Sequence, residues 1–378
     1  MTKNNATNQT SPLLFIMAGG TGGHVFPGLA VAKQMLANGW RVEWFGTQDK
    51  IEAKLVPANN IVIHFLKVSG VRGKGLIRKL VAPFMLLSAV VHARKVLKER
   101  KPDAVLGMGG FASGPGGIAA WTLGIPVIVH EQNAIFGMTN RWLAKIATRV
   151  LCGFDVTHEA LQQIAKAPSN VEFVGNPVRA DFFNINKPTA TDNGHPTFTI
   201  LVVGGSLGAL ALNQKLPKVF VELASKYSLK VIHQAGKGKK SPVDKHYKEL
   251  TASGVALSYE VVEFIDDMPM AFASADIIIC RSGALTVAEV AASSSCAIFV
   301  PLPIAVDDHQ TYNAKSLSDN QAGILISQSE LASKLPTALT ELLSKPQSIH
   351  ALGTRARELC IEDATEKVAL ACIQAKQG

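Results

Sequence analysis

Short, continuous apolar runs recur along the chain, and each ends where a helical pattern begins. They occupy residues 13–20, 103–110, 199–205 and 276–280. Because their apolar positions are consecutive rather than alternating, these runs predict strands covered on both faces, as in parallel sheets. Segments between them, such as residues 25–38, repeat apolar residues at helical spacing. Strands that alternate with helices predict an α/β fold with doubly wound layers.

The beginning of the chain resembles a second segment near its middle. LLFIMAGGTGG at 13–23 and TILVVGGSLG at 199–208 both pass through paired glycines and a hydroxyl residue into a helical pattern. The polar residues 180–197 have the composition of a linker. We therefore predict two Rossmann-like domains that face each other across a cleft, with ligands at the carboxyl ends of the strands.

Composition narrows the functional classes. The 378 residues suffice for two domains, and no apolar window reaches a bilayer span of roughly 18–20 residues. The polar residues 1–12 argue against a secretory signal. Five widely spaced cysteines without a CxxC pair indicate free thiols rather than zinc. The net charge of +9 indicates an anionic partner, and the lack of RNP, KH or zinc-finger patterns argues against nucleic acid.

The glycine-rich turn at residues 18–24 predicts an anion site. A strand that passes through glycines into a helix leaves backbone N–H groups at the helix N-terminus, and these donors attract phosphate. The glycines could serve only a tight turn, but the matched loops and GMGGFASGPGG at 107–117 favour an anion. His24 follows, either as a partly exposed first-turn residue or as a base beside the anion.

Fingerprints of nucleotide-binding enzymes leave one competing class open. No Walker A sequence occurs, which disfavours ATP hydrolysis. Gly107, Gly109 and Ala112 fit a loose dinucleotide fingerprint, with Glu131 at about the right distance for a ribose. An NAD-dependent dehydrogenase is therefore an alternative.

A second group of candidate site residues lies in CRSGALTVAE at 280–289. Glu289 stands one turn into a predicted helix, where it could bind ribose hydroxyls or serve only the helix dipole. Downstream, residues 307–310 and Asn313 form a polar cluster. Adjacent residues seldom converge on one ion, so we predict no metal site there.

Two further segments allow more than one interpretation. HEQN at 130–133 is either a surface turn or a polar cluster at a strand C-terminus that faces a cleft. Residues 72–98 combine many cations with apolar side chains such as Phe84, and part of them must pack on the sheet. Apolar side chains rimmed by cations, extended by Trp121, predict a surface that attaches to an anionic membrane.

Taken together, the motifs resemble the MurG family, the N-acetylglucosaminyltransferases that complete the lipid-linked disaccharide of peptidoglycan. The matching segments run in order from about residue 13 to 378: GGTGGHVFPGLA, SGVRGKG, GMGGFASGPGG, HEQN, GNPVR, FIDDM, CRSGALTVAE and the Gln310/Asn313 spacing. The resemblance implies the GT-B fold. Residues 1–179 would bind acceptor and membrane, residues 180–361 would bind UDP-GlcNAc, and a C-terminal helix at 362–378 would return to the first domain.

The resemblance also implies individual site residues. UDP-GlcNAc would be bound by Thr21, Gly22, Gly23, Asn133, Arg179, Ser206, Ile265, Ala284, Leu285, Thr286, Val287, Ala288, Glu289 and Gln310. Of these, Glu289 would bind the ribose and Gln310 the GlcNAc hydroxyls. The acceptor's diphosphate would meet Gly19, Gly20, Gly109, Gly110, Ser113 and Gly114.

The implied reaction is an inverting transfer of GlcNAc to the C4 hydroxyl of undecaprenyl-pyrophosphoryl-MurNAc-pentapeptide, which converts lipid I to lipid II. His24 is the candidate base and Glu289 a second catalytic candidate, and helix amides would stabilise the departing UDP without an obligatory cofactor. The partners would be both substrates, an anionic membrane and other cell-wall synthesis proteins. The implied location is peripheral, on the cytoplasmic face of the bacterial cell membrane.

The sequence departs from the family pattern at a few positions. Leu207 replaces the glutamine that usually follows GGS, and residues 293–296 and 303–309 also differ, which affects local sugar and phosphate contacts. Transfer of a sugar to diacylglycerol and epimerisation of a UDP-sugar are alternatives on this fold. HEQN and residues 107–117 favour the MurG reaction, and a non-catalytic membrane scaffold would need none of these motifs.

Overall fold

The computed structural model describes residues 11–68, 76–165, 168–185, 197–205, 208–303 and 308–376. The chain forms two compact units. The first comprises the described residues up to Gln132, then Phe136–Pro177 and the residues from Asp363 onward. The second comprises Asn133–Ile135 and Val178–Glu362.

A parallel sheet of seven strands forms the centre of the first unit as described. Its strands are β1 (Leu13–Met17), β2 (Arg41–Gly46), β3 (Val62–Phe65), β4 (Ala104–Gly107), β5 (Val127–Glu131), β6 (Arg149–Cys152) and β7 (Val171–Phe173). They lie in the order β3-β2-β1-β4-β5-β6-β7. The helices are α1 (Gly22–Ala37), α2 (Glu52–Ala58), α3 (Leu76–Arg100), α4 (Ser113–Trp121), α5 (Met138–Leu143), α6 (Asp155–Gln162) and, from the end of the chain, α14 (Ala364–Ala375).

A second parallel sheet, of six strands in the described residues, forms the centre of the other unit. Its strands are β8 (Phe198–Val203), β9 (Leu229–Gln234), β10 (Ser258–Val262), β11 (Ile277–Cys280), β12 (Cys296–Phe299) and β13 (Ile324–Leu325), in the order β10-β9-β8-β11-β12-β13. The helices are α7 (Leu210–Ala224), α8 (Lys240–Thr251), α9 (Met268–Ser274), α10 (Ala284–Ala292), α11 (His309–Ser318), α12 (Leu331–Ser344) and α13 (Pro346–Glu358). Short 3-10 helices occupy Pro168–Asn170 and Ala180–Phe182.

The continuous apolar runs form central strands because both faces of each sheet are covered. In β1, Leu14 and Ile16 belong to one core cluster, whereas Leu13, Phe15 and Met17 belong to another. All five side chains are fully buried. An alternating strand would have placed polar groups on one of these faces. The predicted α/β class with two Rossmann-like layers is therefore confirmed.

Both sheets reverse their strand order beside their first strand. In the first unit β1 lies between β2 and β4, and in the second β8 lies between β9 and β11. Ligands of open α/β sheets bind outside the carboxyl ends of strands at such a switch point. The loops that follow β1 and β4, and those that follow β8 and β11, are therefore the expected binding sites.

The end of the chain packs on the first unit. Helix α14 contacts α1, and Val368 and Cys372 enter the same core cluster as Leu14. Assigning acceptor binding to residues 1–179 and donor binding to 180–361 stays a prediction. Within the described part of the chain, no helix combines the length and apolar content that crossing a membrane requires.

Candidate active site

Two glycine loops pack against each other at the switch point of the first unit. The N–H of Met108 donates to the carbonyl oxygen of Met17 (2.9 Å), so the loop after β4 continues alongside the end of β1. Gly110 has a φ of +82°, and a Cβ there would collide with the backbone of Gly19. Glycine is required at this position because of both the left-handed backbone and the close approach.

The loops bring the predicted acceptor-site residues to one edge of the sheet. Gly19 and Gly20 follow β1, Thr21 precedes α1, and Gly22 and Gly23 form its first turn. Gly109, Gly110, Ser113 and Gly114 connect β4 to the first turn of α4. The first turn of a helix presents backbone N–H groups that have no partner within the helix, so both loops can offer donors to an anion.

Ser113 holds the two loops together. Its side chain is fully buried, and its Oγ lies 2.7 Å from the carbonyl oxygen of Met17 while accepting the N–H of Gly109 (3.1 Å). The hydroxyl is thus used inside the protein. A contact between Ser113 and a diphosphate would therefore use its backbone N–H.

A buried glutamate accepts a hydrogen bond from the first glycine loop. Oε2 of Glu52 accepts the N–H of Gly20 (3.1 Å), and Oε1 accepts both the N–H (3.0 Å) and the hydroxyl (2.6 Å) of Thr47. Glu52 is fully buried at the start of α2. Nothing in the local sequence pattern marks Glu52 as buried, so its role becomes visible only in the fold.

His24 lies on the first turn of α1 and is half-buried. Its Nδ1 lies 2.9 Å from Oε1 of Gln132, the third residue of HEQN. Gly109 lies against its ring, since a Cβ at Gly109 would stand 3.0 Å from Cε1 of His24. Both glycine loops and the end of β5 therefore define the position of the imidazole.

The first three residues of HEQN form a buried polar cluster at the end of β5, so this part of the segment is not a surface turn. His130, Glu131 and Gln132 are all at most 1% exposed. Oε2 of Glu131 accepts the N–H of Gly137 (3.0 Å) and an N–H of Asn140 (3.0 Å). The carboxylate that a dinucleotide fingerprint would direct at a ribose is thus bonded to the turn that follows it.

A cavity of about 730 Å³ occupies the switch point of the second unit. It lies beside the residues that follow β8 and β11 and the first turn of α10. The lining residues are Val203, Gly204, Gly205, Gly208, Ala209, Leu210, Ala211, Gln214, Lys215, Arg281, Gly283, Thr286, Leu302, Pro303, Gln310 and Gln328. Its size is that of a small-molecule site.

Among the described residues, two cations line this cavity. The Arg281 guanidinium donates to the carbonyl oxygens of Val300 and Pro301 (2.9 Å each) and to Oε1 of Gln328 (2.7 Å). Burial lowers the pKa of Arg281 below its usual value. Nζ of Lys215 donates to the carbonyl oxygen of Gln328 (3.3 Å). An anionic ligand would meet a positive wall here.

Lys215, Arg281 and Gln328 are not among the site residues predicted from the sequence. Arg281 lies inside the quoted segment 280–289, so its position between a strand and a glycine turn was an available signal. Gln328 follows the short edge strand β13 and no local pattern marks it.

Glu289 and Arg179 form an ion pair in the second unit. Nη2 of Arg179 lies 3.5 Å from Oε1 of Glu289, and the guanidinium stacks over the Phe182 ring, 5.0 Å from its centroid. Burial raises the pKa of Glu289 to about 7, and the charge of Arg179 offsets this rise only in part. The fold therefore brings together Arg179 and Glu289, two site residues that were predicted from separate segments of the sequence.

Gln310 and Asn313 have different environments on α11. Gln310 lines the cavity, and its Oε1 accepts the N–H of Leu302 (3.0 Å). Asn313 is fully buried and donates to the carbonyl oxygen of Ser282 (3.1 Å) and to Oδ1 of Asn133 (3.3 Å). Asn133 therefore belongs with the second unit, although the predicted domain boundary placed it in the first.

The remaining predicted donor residues differ in their exposure. Thr286 lines the cavity, whereas Ala284, Leu285 and Val287 are buried on α10 and Ala288 is half-buried. Ile265 is half-buried in the loop between β10 and α9. Ser206 and Leu207 lie outside the described residues, and so does Asp307. Across the described ranges, no group of three or more His, Cys, Asp or Glu could hold a metal ion.

Models of a known family match both units. The glycosyltransferase family 28 N-terminal domain matches residues 14–152, and the glycosyltransferase family 28 C-terminal domain matches residues 199–368. The crystal structure of MurG from Acinetobacter baumannii is 39% identical, with a TM-score of 0.78, over 96% of this chain and 99% of that one. The chain belongs to the MurG family of glycosyltransferase family 28.

Curated relatives within this family are closer in sequence. The UDP-N-acetylglucosamine–N-acetylmuramyl-(pentapeptide) pyrophosphoryl-undecaprenol N-acetylglucosamine transferase of Pseudoalteromonas atlantica is 49% identical over 95% of this chain and 94% of its own length. The Neisseria meningitidis UDP-GlcNAc 2-epimerase shares the fold (TM-score 0.68) at only 14% identity, with 96% of this chain and 100% of that one covered. That likeness extends to the fold alone.

The MurG-family chain exposes an apolar stripe on α3. Phe84, Leu87 and Val91 are 73%, 62% and 60% exposed, and their i, i+3, i+7 spacing places them on one face of the helix. Trp121, at the end of the neighbouring α4, is 52% exposed. His92, Lys95 and Lys98 lie on the same helix. Residues 72–75 of the predicted membrane surface lie outside the described residues.

Proposed function

We propose that this chain transfers GlcNAc from UDP-GlcNAc to the C4 hydroxyl of undecaprenyl-pyrophosphoryl-MurNAc-pentapeptide, in the cytoplasm-facing stage of peptidoglycan synthesis. One observation carries the proposal: 49% identity over nearly the whole length to an enzyme named for this transfer. The two switch-point sites support it, since the reaction requires one site for each of two diphosphate-bearing substrates.

UDP-GlcNAc would bind in the cavity of the second unit. The first-turn amides of α10, near Gly283 and Thr286, would face its diphosphate, with Lys215 and Arg281 supplying positive charge. Glu289 would hold the ribose with Arg179 beside it, and Gln310 would bind the sugar. These groups would also stabilise the charge that develops on UDP as it departs.

The acceptor would bind at the paired glycine loops of the first unit. Its diphosphate would lie against the N-termini of α1 and α4, where Gly22, Gly23 and Gly114 present backbone N–H groups. His24 would take the proton from the attacking C4 hydroxyl. Displacement at the anomeric carbon then breaks the bond to UDP and inverts the configuration.

The apolar stripe of α3 supports a peripheral location at the membrane that carries the acceptor lipid. Largely exposed aromatic and aliphatic side chains are costly in water and enter an interface readily, and nearby cations favour an anionic surface. The cytoplasmic face follows from the nucleotide-sugar donor.

The reaction is tested with labelled UDP-GlcNAc and a lipid-linked MurNAc-pentapeptide, with and without EDTA. We expect label in the MurNAc lipid in both conditions, because the proposal assigns the departing charge to amides and cations of the protein. Diacylglycerol is the control acceptor, and formation of free UDP-sugar epimer is monitored in the same mixture. Label in diacylglycerol alone, or an epimer without transfer, would overturn the proposal.

A further inference from the structure

A chain of hydrogen bonds connects His24 to the interior of the first unit. Nδ1 of His24 lies 2.9 Å from Oε1 of Gln132, and Nε2 of Gln132 lies 3.0 Å from Nδ1 of His130. Nε2 of His130 lies 2.9 Å from the carbonyl oxygen of Gly175. His130 and Gln132 are at most 1% exposed.

The orientation of the Gln132 amide is determined by a backbone group. Nε2 of Gln132 also lies 3.0 Å from the carbonyl oxygen of His130. A carbonyl oxygen can only accept, so the side-chain atom facing it must be the NH2 group. The opposite orientation would place two acceptors against each other in a buried site. Oε1 of Gln132 therefore faces His24.

The hydrogen bonds of His130 agree with this orientation of the Gln132 amide. Burial lowers the pKa of His130 to about 4, so the ring is neutral near pH 7 and carries one proton. The carbonyl oxygen of Gly175 needs that proton on Nε2, which leaves Nδ1 of His130 as the acceptor for Gln132. Every donor in the chain then meets an acceptor.

We propose that Gln132, held by His130, is a positioning residue that fixes neutral His24 as the Nδ1–H tautomer. The Oε1 of Gln132 accepts only a proton that resides on Nδ1 of His24. The lone pair of the imidazole is then on Nε2, and this is the nitrogen that can receive the proton of the sugar hydroxyl. An amide acceptor orients the base without adding a buried negative charge beside a diphosphate.

This role of Gln132 rests on the proposed function, because His24 is the base only if the protein performs the transfer. The tautomer can nevertheless be measured without substrate. Long-range 1H–15N correlation spectra of 15N-histidine-labelled protein at pH about 8.5, where imidazoles are neutral, distinguish protonated from unprotonated ring nitrogens. We expect the His24 spectrum of the unaltered protein to show a protonated Nδ1. A protonated Nε2 would overturn the proposal.

The variant Gln132→Met keeps the side-chain volume and removes the three hydrogen bonds that the Gln132 amide makes with His24 and His130. We expect the His24 signals to shift toward the Nε2–H form, while those of His64, which bonds to Glu43, stay unchanged. Gln162→Met is the matched control, because Gln162 also lies beside a histidine nitrogen, at 3.2 Å from Nε2 of His158, but at an exposed position. It should leave the His24 signals unchanged.

Turnover measurements separate positioning from a general structural effect. Gln132→Met should lower kcat about 10- to 100-fold while the KM for UDP-GlcNAc stays unchanged. In a His24→Ala background it should cause no further loss, since Gln132 acts through His24. An equal loss of kcat in both backgrounds would show that Gln132 does not act through His24 and would overturn the proposal. If His24 shows the expected tautomer but the protein transfers no GlcNAc, the proposed function is overturned and the positioning of His24 by Gln132 still holds.

Discussion

The N–H of Gly20 donates to the buried carboxyl group of Glu52 across 3.1 Å. This bond connects a residue of the first glycine loop to a helix that begins 32 residues later. Gly20 itself has a φ of +100°, a conformation that costs little only for glycine. The loop shape therefore depends on two separate features, its own glycines and a distant acceptor.

Replacement of Glu52 by glutamine should destabilise the protein. Its two oxygens accept three hydrogen bonds, and an NH2 group in place of either oxygen would face a donor. A buried donor without an acceptor costs about 1–3 kcal/mol, so we expect the free energy of unfolding in urea to fall by about 2 kcal/mol. Glu172→Gln, at an exposed pair with Arg149, is the control and should change little. Equal midpoints for both variants would contradict the role of Glu52.

The raised pKa of Glu289 predicts the direction in which the stability of the protein changes with pH. Burial raises the folded-state pKa to about 7 from 4.5, so between these values the folded protein retains a proton that the unfolded chain releases. The free energy of unfolding should therefore decline as pH rises through this window. The shift corresponds to a penalty on the order of 3 kcal/mol above pH 7.

Glu289→Gln should remove this decline. Relative to the unaltered protein, the variant should gain stability as pH rises from about 4.5 to 7, with no pH-dependent difference below that range. Chemical denaturation at a series of pH values measures the effect. Glu341→Gln on the surface of α12 is the control. A Glu289→Gln curve parallel to the original at all pH values would show that the carboxyl group ionises normally.

The cations of the cavity give a prediction about donor binding. Lys215 lines the cavity, whereas Lys218 on the same helix pairs with Glu222 on the surface. Lys215→Met should raise the KM for UDP-GlcNAc about fivefold, or roughly 1 kcal/mol, because a diphosphate loses one nearby charge. Lys218→Met should not. The difference between the variants should shrink at high salt, and a similar KM for both would exclude a role for Lys215 in binding.

The sequence allowed prediction of the features that depend on neighbouring residues. The apolar runs predicted the strands, and paired glycines after β1 and β8 predicted the switch-point loops. Partners far apart in sequence could not be predicted. Gln132 contacts His24, which lies 108 residues earlier in the sequence. The neighbours of Gln132 in HEQN did not indicate whether the segment is exposed. Burial of a polar side chain depends on the packing of the whole sheet, which no local pattern encodes.

The apolar stripe of α3 leads to a prediction about membrane attachment. Phe84 is 73% exposed, and moving its ring from water into a bilayer interface should contribute about 1–2 kcal/mol to binding. Phe84→Ser should therefore weaken sedimentation with phosphatidylglycerol vesicles about tenfold. Leu370→Ser, at a 51% exposed apolar position on α14, is the control and should bind as the unaltered protein does.

Activity measurements decide whether the same stripe serves the reaction. On a short-chain, water-soluble analogue of the acceptor, Phe84→Ser should retain full turnover, because its position on α3 lies outside both proposed substrate sites. On acceptor embedded in vesicles its kcat/KM should fall in proportion to the loss of binding. Equal vesicle binding by Phe84→Ser and Leu370→Ser would exclude the stripe as the attachment surface. Loss of turnover on the soluble analogue would instead place Phe84 in acceptor binding.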